Sequence, residues 1–357
     1  MIRHPLFSGV LSALIAAGPT SVVFARAAFL GQDAPVNRLP KHITPETQAA
    51  IDRGLAFLAG VQNRDGSWAN RAGAEGFPVA MTALSGVAFL MDGNTTTTGR
   101  YAENVERALR FILGSQTPTG LIAREAVESR PMFGHGFSLL FLGELHGMVE
   151  SPQRQREIQD VLRRGVVLTA RSQSPLGGWI YTPDSRGDEG SVTITQVQGL
   201  RSCRNSGVEV PKDLIDNAMK YLDRSQNPDG GIAYTASRPG PSRTPITAAA
   251  AACWLNAGEY DNPRLKRAMD YCRRSIGPDG VIGDHFFYAN VYWAQSVYLA
   301  DDGYWDVYFP LVRDRILSLQ STDDGSWPGE GVGEVYGTAM ALIILQIPYN
   351  RLPIMQR

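Results

Sequence analysis

The sequence predicts an all-α toroid, a double ring built from six helix-pair repeats. Three observations predict it. One Gly-rich turn recurs six times, an amphipathic stretch precedes each copy, and a nearly apolar stretch follows it. Recurrence at roughly 50-residue spacing marks an array of supersecondary units, none of which buries its apolar face alone.

The turns come first. They read Gln62-Asn-Arg-Asp-Gly-Ser-Trp68, Gln116-Thr-Pro-Thr-Gly-Leu-Ile122, Gln173-Ser-Pro-Leu-Gly-Gly-Trp179, Gln226-Asn-Pro-Asp-Gly-Gly-Ile232, Ile276-Gly-Pro-Asp-Gly-Val-Ile282 and Gln320-Ser-Thr-Asp-Asp-Gly-Ser-Trp327. Glycine permits the positive φ at which the leading helix stops, and Asp or Asn before it tolerates the left-handed region. Glutamine at the helix end brings amide donors and acceptors to orphaned backbone groups. The closing Trp or Ile buries against the next unit. Asp65, Asp229, Asp279 and Asp324 therefore read as turn formers and not as catalytic acids.

The leading helices are amphipathic. Ile51, Leu55 and Leu58 share one face of the first, and Leu214, Ala218 and Leu222 one face of the fourth. Lys266, Arg267, Arg273 and Arg274 give the fifth a solvated face. The trailing stretches 79–90, 137–145, 247–255 and 338–345 are nearly apolar throughout, so they are expected to be buried on all sides. An amphipathic layer outside an apolar one, repeated six times, closes into two concentric rings. The insertions at 183–190 and 238–245 lengthen turns at the mouth of the ring.

At 357 residues and 43% hydrophobic, the chain is long enough for one large core. A net charge of −1 supplies no field for phosphate backbones, which argues against a nucleic-acid partner. Arg3 and His4, the apolar run 5–24 and Ala25-Arg26-Ala27 read as a signal peptide, or an N-terminal membrane anchor, over residues 1–27. That predicts export to the periplasm or beyond. Residues 28–44 read as a linker and 45–357 as the toroid. The three cysteines, Cys203, Cys253 and Cys272, sit among small and apolar residues and read as core. The five histidines are scattered, and neither CxxC nor HExxH occurs, so no metal and no cofactor is expected.

The Gln…Asp-Gly-Ser-Trp turn closing an amphipathic helix resembles the repeat of squalene-hopene cyclases, oxidosqualene cyclases and protein prenyltransferase β subunits, over residues 45–347. The resemblance implies an (α/α)6 barrel whose inner helices surround a cavity for an isoprenoid chain. It also implies catalytic groups at the inner-helix starts, and there the sequence departs. Protonating cyclases carry Asp-x-Asp-Asp before a Thr-Ala. The corresponding stretches here, Pro78-Val-Ala-Met-Thr82 and Arg243-Thr-Pro-Ile-Thr247, contain no acid. Protein prenyltransferases hold zinc with Asp, Cys and His. Here Ala289 stands in the histidine slot, and Glu189-Gly-Ser191 replaces Asp-Gly-Cys. Asp301-Asp302 follows an inner helix and is no diphosphate-binding pair.

Two regions remain as candidate sites. Asp184, Asp188 and Glu189 gather carboxylates before the third inner helix, as a general acid or equally as a turn and N-cap. His135, His285, Tyr288, Tyr292, Trp293 and Tyr336 are candidate cavity lining, suited to an apolar small molecule or lipid or simply to core packing. The expected function is a cyclase- or prenyltransferase-like toroid binding an isoprenoid or lipid-like ligand, its usual catalytic motifs absent. The alternatives are a protein- or peptide-binding scaffold and a carbohydrate-active (α/α)6 enzyme.

Overall fold

The computed structural model describes residues 39–69, 76–184, 186–301 and 303–356. The segment 1–27 predicted to direct export, the predicted linker up to residue 38, and Asp302 lie outside the described residues. Among the described residues twelve α-helices alternate between two layers. The outer layer holds α1 (Pro45–Val61), α3 (Ala102–Leu113), α5 (Pro152–Arg171), α7 (Lys212–Ser225), α9 (Pro263–Ser275) and α11 (Trp305–Ser318). The inner layer holds α2 (Pro78–Met91), α4 (Pro131–His146), α6 (Gly190–Asn205), α8 (Thr244–Asn256), α10 (Phe286–Ala300) and α12 (Glu334–Gln346). Each inner helix packs on the next, and α12 packs back on α2, which closes the ring. In the outer layer α1 meets α11.

Local chemistry sets the ends of the helices. Proline at the first or second position starts six of them without sacrificing a bonded N–H. Thr44, Ser151 and Asn262 cap α1, α5 and α9 through their side chains. The inner helix α4 begins at Pro131, six residues before the apolar stretch predicted at 137–145. Its first turns carry glycines and a histidine, which hide a helix from a hydrophobicity pattern.

The turn glutamine is a stitch. Gln62 Nε2 donates to Gly66 O within its own turn and to Asn104 O on the next outer helix, both at 3.0 Å. Gln116, Gln173 and Gln226 repeat the pair of bonds. Gln320 donates to Ala50 O at 2.9 Å, joining the last repeat to the first. Ile276 stands in this position in the fifth turn and has no amide to offer. Gly177 shows why the turn needs glycine: its φ is 96° and a Cβ there would meet Asn217 O at 2.1 Å.

A second bond ties each turn to its inner helix. Thr82, Thr193, Thr247 and Thr338 accept from the N–H of Trp68, Trp179, Ile232 and Trp327 at 2.8–3.0 Å. The indoles of Trp68, Trp179 and Trp327 donate in turn to carbonyls of the preceding outer helix. All three are fully buried, so each joins two layers while satisfying its own N–H.

Candidate functional site

The inner helices run in one direction, so the ring has an N-terminal mouth and a C-terminal end. The chain's own tail closes the C-terminal end. Ile354 N–H donates to Glu144 Oε2 of α4 at 3.3 Å, and its carbonyl accepts from Gln295 Nε2 of α10 at 3.0 Å. Helices α4 and α10 stand opposite one another in the ring order, which puts Ile354 on the axis. Leu352, Ile354 and Met355 are buried. Gln198 Nε2 of α6 donates to Gln295 Oε1 at 3.2 Å, and Gln198 Oε1 accepts from Asn256 Nδ2 of α8 at 3.3 Å, so amides cross the interior here. Burial pushes the Glu144 carboxyl up to about 7, against the opposing pull of the Ser202 hydroxyl and the Ile354 N–H.

The mouth is built differently. Phe133, Tyr288 and Tyr336 are each the third residue of their inner helices, and all three are half-buried among otherwise buried neighbours. Tyr288 packs edge-on against Tyr292 with centroids 4.9 Å apart, and Tyr336 and Glu189 are further polar neighbours. Tyr292 faces Thr195 of α6 across the interior. The Tyr288 hydroxyl is buried and meets no partner at hydrogen-bonding geometry. Burial pushes the hydroxyls of Tyr288, Tyr292 and Tyr336 far up, so all are neutral donors.

Carboxylates at this end cap alternate inner helices. Glu128 accepts from Val79 N at the start of α2 (3.1 Å) and from Arg124 N (2.8 Å). Glu189 accepts from Ser191 N and Val192 N at 3.0 and 2.9 Å at the start of α6. Glu330 accepts from Phe286 N and Phe287 N at the start of α10. Each places negative charge on the positive end of a helix. Burial raises the Glu189 carboxyl, while the Ser191 hydroxyl and the two N–H groups lower it.

The three carboxylates singled out in the sequence thus have three different surroundings. Asp184 is exposed. Asp188 is buried and accepts from Ala236 N at 2.6 Å and Ser237 N at 3.3 Å, fixing the loop before α8. Glu189 is the cap of α6. The six lining candidates also divide. Tyr288, Tyr292 and Tyr336 come together inside the mouth. His135 turns towards the outer ring: its Nδ1 accepts from Ile122 N at 3.1 Å and its Nε2 meets Thr169 Oγ1 at 3.0 Å. It occupies the place of the stitching threonines, and burial holds its imidazole down at about 4, hence neutral. Trp293 packs on Tyr304 and Tyr308, the latter in outer helix α11. His285 is exposed, in the left-handed conformation just before α10.

Sequence reasoning passed over Glu144, Gln198, Gln295, Glu128 and Glu330. Glu144 had a usable signal, since a lone carboxylate in an apolar helical run must find buried partners. Glu128 and Glu330 cap helices distant in sequence and leave no local pattern. Cys203, Cys253 and Cys272 are free and buried, and burial pushes each thiol upward. Among the described residues no group of three His, Cys, Asp or Glu side chains is arranged to hold a metal.

Comparison with known proteins bears on this architecture. No protein-family model matches the chain. A drimenyl diphosphate synthase from Streptomyces showdoensis is 25% identical over 194 residues, 54% of this chain and 34% of that protein. The chain therefore spans about a third of the relative it matches. A type II terpene cyclase from Scytonema, solved with geranylgeranyl dihydroxybenzoate, superposes with a TM-score of 0.59 at 15% identity, over 86% of this chain and 98% of that one. The fold is that of the terpenoid cyclase-like (α/α)6 toroids. Sugar-acting proteins share the toroid. An α-1,6-mannanase from Salegentibacter superposes with a TM-score of 0.62 at 10% identity, over 84% of this chain and 98% of that one. A cellobiose 2-epimerase from Spirochaeta thermophila gives 0.62 at 12% identity, over 85% and 96%. The toroid alone does not name a reaction, which must be argued from the site.

Proposed function

We propose that the interior of the ring binds an isoprenoid or similarly apolar, lipid-like molecule. The ligand enters at the N-terminal mouth and stops against the Gln198–Gln295 pair. One observation carries this reading: the interior is closed by Ile354 at one end and edged by Tyr288, Tyr292 and Tyr336 at the other. Aromatic faces contribute contact area and attract positive charge. The unpartnered Tyr288 hydroxyl offers one donor to a polar group on the ligand. The similarity to a terpene cyclase solved with a geranylgeranyl compound supports the same class of ligand.

The side chains at the mouth are poor acids. The mouth tyrosines are held neutral by burial, and Asp188 and Glu189 accept backbone N–H bonds. Binding rather than alkene protonation is the reading these groups favour, because a protonating carboxyl must itself be kept protonated beside the substrate. A glycosidase reading requires two carboxyls facing one another across a bond, and Asp188 and Glu189 bind separate backbone segments.

The test is mass spectrometry of the protein after incubation with squalene and with polyprenyl diphosphates. Retention without turnover, reduced in Tyr288→Ala and Tyr336→Ala, is the expected result. A new product lost in Asp184→Asn, Asp188→Asn or Glu189→Gln would instead make the protein an enzyme with its acid at the third inner helix. Neither retention nor product would remove the isoprenoid reading and turn attention to glycans and protein partners.

A further inference from the structure

On the outer wall, away from the ring interior, Arg64, Arg107, Arg110 and Arg124 surround a pocket of about 190 Å³ together with Asp65 and Phe111. Repeat logic shows how unusual this corner is. The residue two places after the turn glutamine is proline in the second, third and fourth turns (Pro118, Pro175, Pro228), and Pro278 matches it in the fifth. In the first turn it is Arg64. Arg53 and Arg267, at the corresponding place on their outer helices, bind the oxygen of a turn glutamine, Gln320 and Gln226. At Arg107 that partner is taken, because Gln62 Oε1 accepts from Asn104 Nδ2 at 2.8 Å. The Nε of Arg107 is buried with no partner. The Arg124 guanidinium lies 4.8 Å above the Phe111 ring, which fixes its plane at the pocket wall.

The charges are met only in part, since Arg124 acts on the nearby Glu128 carboxyl without pairing with it. Among the described residues Arg64, Arg107 and Arg124 have no carboxylate at ion-pair distance. Arg110 shares Glu106, at 3.5 Å, with Arg154, which holds it at 2.7 Å. The single acid of the pocket, Asp65, accepts from Ser67 N–H and Ser67 Oγ within its own turn. We infer that this pocket binds a diphosphate group. Guanidinium forks pair bidentately with phosphate oxygens, and four forks around one cavity offer more donors than one phosphate accepts. The volume equals that of roughly six liquid waters, room for two linked phosphates. The site is separate from the proposed interior pocket and does not depend on it.

Calorimetric titration of the full chain with inorganic pyrophosphate tests this, with farnesyl diphosphate in parallel. Arg107→Gln removes the orphaned donor, and Arg64→Pro restores the residue of turns two to five, so neither disturbs the core. Each variant is expected to weaken binding about tenfold, the factor for one lost charge-assisted hydrogen bond, and added salt to weaken it further. Losses for both ligands would assign the free diphosphate group, and a loss confined to farnesyl diphosphate would assign a lipid-borne one. Tyr288→Ala leaves pyrophosphate binding unchanged, which separates this site from the interior. Affinities that neither arginine variant alters, or no binding of either ligand, would overturn the inference.

Discussion

At the C-terminal end of the inner ring, Glu144, Gln198, Asn256 and Gln295 are buried and hydrogen-bonded to one another's helices or to Ile354. At the N-terminal mouth, Phe133, Tyr288 and Tyr336 are only half-buried, and the Tyr288 hydroxyl has no partner at hydrogen-bonding geometry. At the first end the four side chains find their partners within the chain, as a buried network must if it is not to destabilise the fold. The second leaves aromatic surface and a donor unmet. This difference separates the part of the interior that completes the fold from the part to which the proposed ligand is assigned.

Breaking the closed end should have the largest effect. Truncation after Arg351 removes the buried Leu352, Ile354 and Met355 and leaves Glu144 and Gln295 without their tail partners. Denaturant unfolding should show a loss of more than the roughly 2–5 kcal/mol typical of one large-to-small change at a buried Leu or Ile. An unchanged midpoint would mean that the tail does not close the ring in solution.

A smaller effect distinguishes charge from shape at Glu144. Its folded carboxyl sits at about 7 against an ordinary 4.5, so the folded chain holds this proton more tightly than the unfolded chain. Its contribution is fully present below pH 4.5 and is lost as pH rises to 7. Glu144→Gln should therefore gain stability over the wild type steadily across that window, by up to about 3 kcal/mol at its top. His135 works in the opposite sense. Its imidazole is held down at about 4 from 6.5, so the unfolded chain binds the proton first and stability falls as pH drops between those values. A His135→Gln variant should flatten the acid limb that Glu144→Gln leaves intact, in thermal melts recorded from pH 4 to 7.

Gln320→Ala removes the stitch between the last repeat and the first and should cost about 1 kcal/mol, read from the same unfolding curves. The smallest change belongs to Tyr288→Phe. Deleting a hydroxyl that has no partner should move stability by less than about 0.5 kcal/mol. The same variant should weaken any ligand with a polar end. A large destabilisation would show that the hydroxyl is bonded and would remove the asymmetry between the two ends.

Much of the toroid is legible in the sequence because each repeat states its rules locally. Glycine, glutamine and tryptophan recur at fixed offsets, and the structure uses them as turn, stitch and layer bond. The fifth repeat diverges visibly in the sequence at Ile276, which stands for glutamine, and the structure puts Asn290 in the place of the threonine. Asn290 there bonds Gly280 O and Tyr308 OH instead. The interior was less legible. His135 looks like cavity lining by position, yet its register matches the threonines that face the outer ring. Trp293 likewise follows an aromatic run but points to α11. The tail's place on the axis was not readable, since Leu352-Pro-Ile354-Met355 carries no repeat signature and its partners lie far away in sequence.

The most direct test is a crystal structure of the protein with geranylgeraniol bound. The account predicts ligand density running inward from the mouth between Tyr288 and Tyr336 and ending at Gln198 and Gln295, with Ile354 unmoved. Density outside the ring, or a ligand that displaces the tail and enters past Ile354, would contradict it.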